Sequence, residues 1–305
     1  MTEAASLPPV DDSRQPLVFI TMVRGDYPML DLWVRHHEAL AGSRDHLVVI
    51  SHGADPRHDR LARGCSRLVV PHDSTGAGFE PRRVALLHGL VGGLLGYYRH
   101  VVVLDCDEML VPAPELATPL ADHLDSVAFR GVALSPAGFD LTQRPVSEPA
   151  PLDFTRPILD QRRYGYLHGE YSKPCIFRAA PRAGGNQHAL IGEPWQIDPM
   201  IALIHMRFAD QGFGTRTGRS RIRQLDSYNR AGSDHRIGNW DNRLRQMARV
   251  QGRLDRSDHP DLTLADRQAF AARMQRYYER FNRTLPWLQS RDEPRRLPDE
   301  WLGRL

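Results

Sequence analysis

The first 110 residues alternate short apolar runs with stretches of helical periodicity. Apolar residues recur at helical spacing behind Pro28 and Pro81, and proline suits the first turn of a helix. The apolar runs lie at residues 17–23, 46–51, 67–70 and 101–104. In such strand–helix–strand units the crossover connections are right-handed, and the helices cover both faces of the sheet. The order therefore predicts a mixed, mainly parallel sheet with flanking helices.

The pattern changes beyond Pro112. Long loops rich in Pro and Arg separate the next candidate strands, and long loops in a compact domain are usually either functional or disordered. The candidate strands lie at residues 127–134, 171–178 and 201–208. From Thr215 onward helical stripes dominate, and Thr263 with Asp266 predicts a capping box for the last long helix.

The sequence pattern divides the chain into three predicted parts. Residues 1–16 contain no apolar run and are predicted to form a flexible tail. Residues 17–214 are predicted to form an α/β catalytic domain, and residues 215–305 a C-terminal helical subdomain.

Composition narrows the class of protein. A formal charge of +3, with basic residues spread along 305 residues, argues against a general nucleic-acid binder. The most apolar helical stretch is shorter than the roughly 20 residues of a membrane span, so no integral membrane segment is predicted. Cys65, Cys106 and Cys175 are widely separated and form no C-x-x-C pair, which favours a reducing, cytoplasmic setting.

The segment VVVLDCDEMLVP, residues 101–112, carries the strongest chemical signal. Asp105 and Asp107 follow a buried strand, and open α/β sheets bind ligands at the carboxyl ends of their strands. Two neighbouring carboxylates repel each other unless a cation or a proton intervenes. A divalent ion, Mn²⁺ or Mg²⁺, that bridges to a diphosphate is therefore predicted. Glu108 either joins that ion or shapes the turn.

Five segments of the chain form an ordered pattern: TMVRGDYPMLDLWVRHHEALAG, VVVLDCDEMLVP, YSKPCIFR, GGNQHAL and LIHMRFAD. Together they resemble bacterial glycosyltransferases of the family 2-like group with a GT-A fold. The resemblance covers about residues 17–210. It implies a GT-A type, Rossmann-like fold and a metal-dependent, inverting transfer of a sugar. The sugar would pass from a nucleotide-sugar donor to a saccharide or another hydroxyl acceptor.

The resemblance also implies roles for residues in the matched segments. It places Asp105 and Asp107 at the metal and the donor diphosphate. Gly25 and Asp26 stand where relatives often have Asn-Glu. The residues implied near the nucleotide base are Met22, Val23, Arg24 and Asp26.

Two histidines and several basic residues are further candidates. His205 is predicted on or just after a strand, either as a hydrogen-bonded core residue or as a third metal ligand. His188, in a glycine-rich turn, is predicted either to contact donor phosphate or acceptor or to be a solvated loop residue. Lys173 and Arg207 are candidate donor-binding residues. The run of arginines from Arg207 to Arg223 is either a solvated basic face or a glycine-hinged flap that closes on the diphosphate.

Sugar transfer with inversion needs a group that accepts the proton of the acceptor hydroxyl. The candidates for this base are Asp140, Glu170 and Glu193, all predicted in loops beyond the metal site. The sequence does not single out one of them.

Two other functions are compatible with parts of the pattern. An apolar strand followed by Asp-x-Asp is also how a haloacid-dehalogenase-like phosphotransferase presents its nucleophile. That motif normally opens its domain, whereas Asp105 comes after three strand–helix units. A non-catalytic nucleotide-sugar-binding protein on the same fold would share most of the binding residues.

Overall fold

A computed structural model of the chain describes residues 13–72, 79–128, 131–182, 185–186, 188–190, 193, 195–230, 240–281 and 291–305. Most of the predicted tail, residues 1–12, lies outside the described residues. Strand β1 already begins at Gln15, two residues earlier than predicted, so the tail does not extend to Pro16.

The N-terminal half contains five strands and four helices among the described residues. The strands are β1 (Gln15–Val23), β2 (Leu47–His52), β3 (Ser66–Val70), β4 (Tyr98–Val103) and β5 (Glu108–Pro112). The helices are α1 (Tyr27–Ala41), α2 (Pro56–Leu61), α3 (Phe79–Leu94) and α4 (Leu120–Ser126).

The rest of the described chain adds seven strands and three helices. The strands are β6 (Ala133–Thr142), β7 (Tyr164–Leu167), β8 (Ile176–Phe177), β9 (Gly185–Asn186), β10 (Ala189–Leu190), β11 (Trp195–Phe208) and β12 (Arg295–Arg296). The helices are α5 (Gln211–Arg230), α6 (Trp240–Leu254) and α7 (Leu264–Phe281).

One mixed sheet organises the molecule. Its strand order is β12-β7-β6-β8-β4-β1-β2-β3, and β11 pairs with both β5 and β6. The pairings of β1 with β2 and β4, of β2 with β3, and of β6 with β11 are parallel, whereas β5 pairs with β11 in the antiparallel direction. The predicted architecture, a mixed, mainly parallel α/β sheet with flanking helices, is confirmed.

The central strands are apolar because helices or loops cover both of their faces. Val18, Phe19 and Ile20 in β1 and Val101 and Val102 in β4 are completely buried. Runs of consecutive apolar residues are expected in a parallel strand that is covered on both faces. This packing fixes the carboxyl ends of β1 and β4, where the candidate site lies.

The middle of the chain differs from the sequence prediction. The strand predicted at residues 127–134 begins only at Ala133 and continues to Thr142. Gly138 allows this strand to pass the turn around Tyr171, since a Cβ atom added to Gly138 would lie 2.3 Å from the Tyr171 carbonyl carbon. Of the strand predicted at residues 171–178, only Ile176–Phe177 pairs in the sheet.

The C-terminal region is helical, but it begins and ends differently from the prediction. Helix α5 starts at Gln211, four residues before the predicted boundary at Thr215. Residues 211–223, which the sequence left as either a solvated basic face or a glycine-hinged flap, lie in this helix, and the choice between the two stays open. Strand β12 pairs with β7 and so returns the chain to the main sheet. The division into a catalytic domain and a helical subdomain stays a prediction.

The capping box predicted for α7 is confirmed. The backbone N–H of Asp266 donates to Thr263 Oγ1 at 3.1 Å, and the Thr263 N–H donates to Asp266 Oδ2 at 3.0 Å. Asp performs the reciprocal role usually taken by Glu or Gln. Among the described residues, no helix combines the length and the hydropathy needed to cross a membrane.

A buried histidine ties α1 to β5. His37 is completely buried, and its Nδ1 lies 2.9 Å from the Trp33 carbonyl oxygen, to which it donates. Its Nε2 accepts a hydrogen bond from the Leu110 N–H at 3.3 Å. One ring nitrogen donates and the other accepts, so this geometry requires the neutral imidazole. Burial and the neighbouring His36 hold the pKa of His37 well below its usual value.

This histidine makes the stability of the fold sensitive to acid. Below about pH 6.5 the unfolded chain protonates His37 while the folded chain does not, so stability is lost as the pH falls. Asn does not titrate, so the His37→Asn variant lacks this source of acid sensitivity. Between pH 7 and pH 5, we expect the unfolding free energy of the variant to fall by roughly 1–2 kcal/mol less than that of the native protein. Urea unfolding at both pH values measures this difference. Equal losses in the two proteins would show that His37 does not contribute to the acid sensitivity.

Candidate functional site

The turn after β4 contains a buried ion pair. Lys173 is completely buried, and its Nζ lies 2.7 Å from Glu108 Oε2 and 3.5 Å from Asp105 Oδ2. The same Glu108 oxygen accepts the backbone N–H of Asp105 at 2.7 Å. Burial lowers the pKa of Lys173, but Asp105 and Glu108 outweigh burial and hold the pKa above its usual value. Glu108 therefore shapes the turn, as one of the two alternatives proposed.

Helix α3 supplies a second cation to Asp105. Arg83 Nη1 donates to Asp105 Oδ1 at 2.8 Å, and the same guanidinium is held by Glu80. Asp105 thus has one oxygen against Arg83 and the other near Lys173. Its side chain keeps 30% of its surface exposed, at the carboxyl edge of the sheet.

Asp107 faces strand β11. Arg207 donates to Asp107 Oδ2 through Nη2 at 2.8 Å and through Nε at 3.2 Å. His205 Nε2 lies 3.7 Å from the same oxygen, beyond hydrogen-bond distance. Burial raises the pKa of Asp107, but the charge and hydrogen bonds of Arg207 oppose this and the pKa lies below its usual value. Asp107 is thus ionised at neutral pH.

The register of β11 explains why these groups meet. His205 pairs with Glu108 of β5 on one side and with Asp140 of β6 on the other. The Asp140 carboxylate is completely buried, and its Oδ1 lies 2.8 Å from His205 Nδ1. Since a carboxylate only accepts, His205 Nδ1 donates, and in the neutral ring Nε2 presents its lone pair towards Asp107. The ring of Tyr171 stacks on His205 with 3.8 Å between centroids.

The three candidates for the base lie in different environments. The loop position predicted for Asp140 is wrong: it lies within β6, with its oxygens against His205 and Arg291. Glu193 is also buried, and one of its oxygens accepts the backbone N–H of Arg182. Glu170 is half-buried on the 3-10 turn Gly169–Tyr171.

His188 lies on the Lys173 side of the site. Its Nδ1 donates to the Glu170 carbonyl oxygen at 2.9 Å. Burial lowers the pKa of His188, and the charge of Lys173 adds to this, whereas the charges of Glu170 and Asp105 oppose it. These interactions place His188 beside the Asp105 turn, and His205 lies beside Asp107.

The loop after β1 approaches the Asp-x-Asp turn. Asp26 adopts a left-handed conformation, φ 49° and ψ 42°, at the start of α1, which is uncommon for a residue other than glycine. Burial raises the pKa of the Cys106 thiol, and the charge of Asp26 raises it further, so Asp26 lies near the turn. Val23 is buried in the core, Met22 is half-buried and Arg24 is exposed. Of these side chains, those of Arg24 and Asp26 are best placed to contact a ligand.

The spacing of Asp107 Oδ2 and His205 Nε2 suits two ligands of a divalent cation once Arg207 leaves that oxygen, and Asp105 could join them only by leaving Arg83 and Lys173. Ligand atoms lie about 2.0–2.2 Å from such a cation, so two of them are roughly 3–4 Å apart, as Asp107 Oδ2 and His205 Nε2 are. Asp140 behind His205 matches the carboxylate–histidine arrangement that orients metal ligands. The described residues contain no cluster of three or more His, Cys, Asp or Glu side chains placed to hold a metal. A cation would therefore need oxygens from water or substrate to complete its shell.

Sequence reasoning missed three residues of this site. Arg83 had a weak signal, since it lies in the first turns of α3, the helix that precedes β4 and the Asp105 turn. Tyr171 and Arg291 had none, because their contacts depend on the strand register and on the return of the C-terminal segment.

Comparisons with known proteins give weak similarities only. No family model matches the chain, and no curated protein shows significant similarity to it. The chain is similar to mannosyltransferase PcManGT from Pyrobaculum calidifontis in complex with GDP-Man and Mn²⁺, with 13% identity over 90% of this chain and 77% of that one and a TM-score of 0.37. It is also similar to the bifunctional glycosyltransferase WbbM, with 16% identity over 43% of this chain and 24% of that one and a TM-score of 0.24.

Proposed function

We propose that the protein is a metal-dependent glycosyltransferase that moves a sugar from a nucleotide-sugar donor to a hydroxyl acceptor. One observation carries this proposal: Asp107 Oδ2 and His205 Nε2 converge to 3.7 Å at the carboxyl edge of the sheet, beside Asp105. The resemblance of residues 17–210 to family 2-like GT-A enzymes supports the same function and favours inversion.

The charge balance of the site supports a ligand that combines a dication with a diphosphate. Each of four carboxylates is paired with a described cation, and Glu80 shares Arg83 with Asp105, so these five carboxylates exceed the four cations by one formal charge. The pairs are Asp105 with Arg83, Glu108 with Lys173, Asp107 with Arg207, and Asp140 with Arg291. A divalent cation alone would leave an excess positive charge that a donor diphosphate neutralises. The site therefore favours binding the two together.

Asp107 and His205 would hold the Mn²⁺ or Mg²⁺ ion. When bound, such an ion stabilises the negative charge that develops on the nucleoside-diphosphate leaving group. Arg207, now paired with Asp107, is 23% exposed and can turn its guanidinium to the same phosphates. Lys173 is buried under the Asp105 turn and holds it in place. It would act on a ligand only through the electrostatic field that it adds at Asp105.

Glu170 is the best-placed candidate for the base that accepts the proton of the acceptor hydroxyl. It is half-buried and lies next to Tyr171, whose ring covers His205. Asp140 and Glu193 are buried and hydrogen-bonded to protein groups, so neither can reach an acceptor directly. Asp140 instead orients His205.

The geometry disfavours the phosphotransferase alternative. A nucleophilic aspartate needs an oxygen directed at the phosphorus atom, whereas the Asp105 oxygens face Arg83 and Lys173. A non-catalytic binding protein would share the site and differ only in turnover.

Release of nucleoside diphosphate tests the function directly. We expect purified protein with Mn²⁺ to release nucleoside diphosphate from at least one member of a panel of nucleotide sugars, and a chelator to abolish the release. A coupled assay for nucleoside diphosphate measures this. Tight donor binding without release would favour the binding protein, and phosphate release from phosphate monoesters would favour the phosphotransferase.

A further inference from the structure

The C-terminal segment returns to the sheet beside the candidate site. Arg291 forms a β-bridge with His168, and the Asp292 N–H donates to the Leu167 carbonyl oxygen at 2.9 Å. Strand β12 then pairs with β7, which itself pairs with β6. This path places a residue from the end of the chain behind the strand that carries Asp140.

Arg291 compensates the charge of Asp140. Its Nη2 donates to Asp140 Oδ2 at 3.0 Å, while Asp140 Oδ1 faces His205. The guanidinium also lies over the ring of Tyr166, 5.2 Å from its centroid, which restricts its position. Both oxygens of the buried carboxylate therefore have fixed partners, one on each side.

His168 does not perform this role in place of Arg291. Burial is the main cause that lowers the pKa of His168 to about 4, so the ring is neutral near pH 7. Its Nδ1 accepts the Glu170 N–H at 3.1 Å. The full positive charge against Asp140 Oδ2 thus comes from Arg291.

We propose that Arg291 is a positioning residue for the cation site, acting through Asp140 on His205. By holding Oδ2, it fixes the carboxylate in the orientation that presents Oδ1 to His205 Nδ1. That contact directs His205 Nε2 towards Asp107. This inference rests on the proposed function, and it makes the C-terminal segment part of the active site.

The test compares Mn²⁺ binding by Arg291→Met with binding by the native protein. Residues behind metal ligands typically change metal affinity by about 10- to 100-fold when they are replaced. Because Arg291 acts through one further residue, we expect about a 10-fold larger Mn²⁺ dissociation constant, at the lower end of that range. Electron paramagnetic resonance of free Mn²⁺, with nucleoside diphosphate present, measures it. The catalytic constant should fall more than KM rises. Arg291→Lys, which keeps the charge, should recover part of the affinity and remains informative if the Met variant does not fold.

Arg296→Met is the matched control. It removes an Arg–Asp pair from the same segment, since Arg296 Nε donates to Asp261 at 2.6 Å, without touching Asp140. This variant should lower the melting temperature, and its Mn²⁺ affinity should stay close to that of the native protein. Folded Arg291 variants with native Mn²⁺ affinity would overturn the inference, provided that Asp107→Asn weakens binding in the same assay. If Asp107→Asn also binds Mn²⁺ normally, the proposed function itself is wrong.

Discussion

Replacement of Asp107 by Asn is expected to lower turnover by about 100-fold or more, which corresponds to roughly 3 kcal/mol. The substitution keeps the size of the side chain but removes the charge that faces Arg207 and lies 3.7 Å from His205 Nε2. A cation at this position would lose its anionic ligand, and the leaving group would lose stabilisation where its charge develops. The loss should appear mainly in the catalytic constant.

Donor hydrolysis or transfer across a Mn²⁺ and Mg²⁺ titration measures this loss. Cys106→Ala is the control, because Cys106 is the buried residue between the two aspartates and its side chain lies in the core. The Cys106→Ala variant should lower the melting temperature, and its turnover should stay close to the native rate. Thermal melts check that both variants fold. A folded Asp107→Asn protein with the native rate would be incompatible with the metal site.

Replacement of Lys173 by Met is expected to produce the largest loss of stability, about 3–5 kcal/mol. Lys173 and Glu108 are both almost completely buried, with 2.7 Å between Nζ and Oε2. Removing the ammonium leaves the Glu108 carboxylate without its cation in a site where water cannot replace it. Methionine fills a similar volume, so the cost comes from the charge and not from a cavity.

The double variant Lys173→Met/Glu108→Gln separates these causes. In the native protein the Asp105 N–H donates to the Glu108 carboxylate at 2.7 Å. The Gln carbonyl oxygen can accept the same hydrogen bond, so the turn keeps it. Unfolding by urea should show the double variant to be more stable than Lys173→Met alone. If the double variant is less stable than the native protein by the sum of the two single effects, the two residues are not coupled as the structure indicates.

The edge of the sheet that carries the site could be predicted from sequence because it depends on local patterns. Consecutive apolar residues in β1 and β4 indicate strands that are covered on both faces, and the residues after such strands lie at the ligand-binding edge. Asp105 and Asp107 were located by this rule alone. His205 was placed correctly on a strand, but its partner was not predicted.

The rest of the site depends on contacts between distant residues. Pro136 and Gly138 interrupt the apolar pattern of β6, so Asp140 was predicted in a loop, although pairing with β11 makes the strand continuous. Arg291 reaches Asp140 across 151 positions of sequence. No local periodicity records such a contact, because it is fixed by strand register and by the path of the C-terminal segment.

The position of the cation is the most direct test of the central claim. A crystal structure of the native protein with nucleoside diphosphate and Mn²⁺ would locate the metal by its anomalous scattering. We predict an anomalous peak at coordination distance, about 2.0–2.2 Å, from both Asp107 Oδ2 and His205 Nε2, with the diphosphate beside it. A bound diphosphate with no such peak at these two atoms, or a metal and a diphosphate bound together elsewhere, would contradict the account.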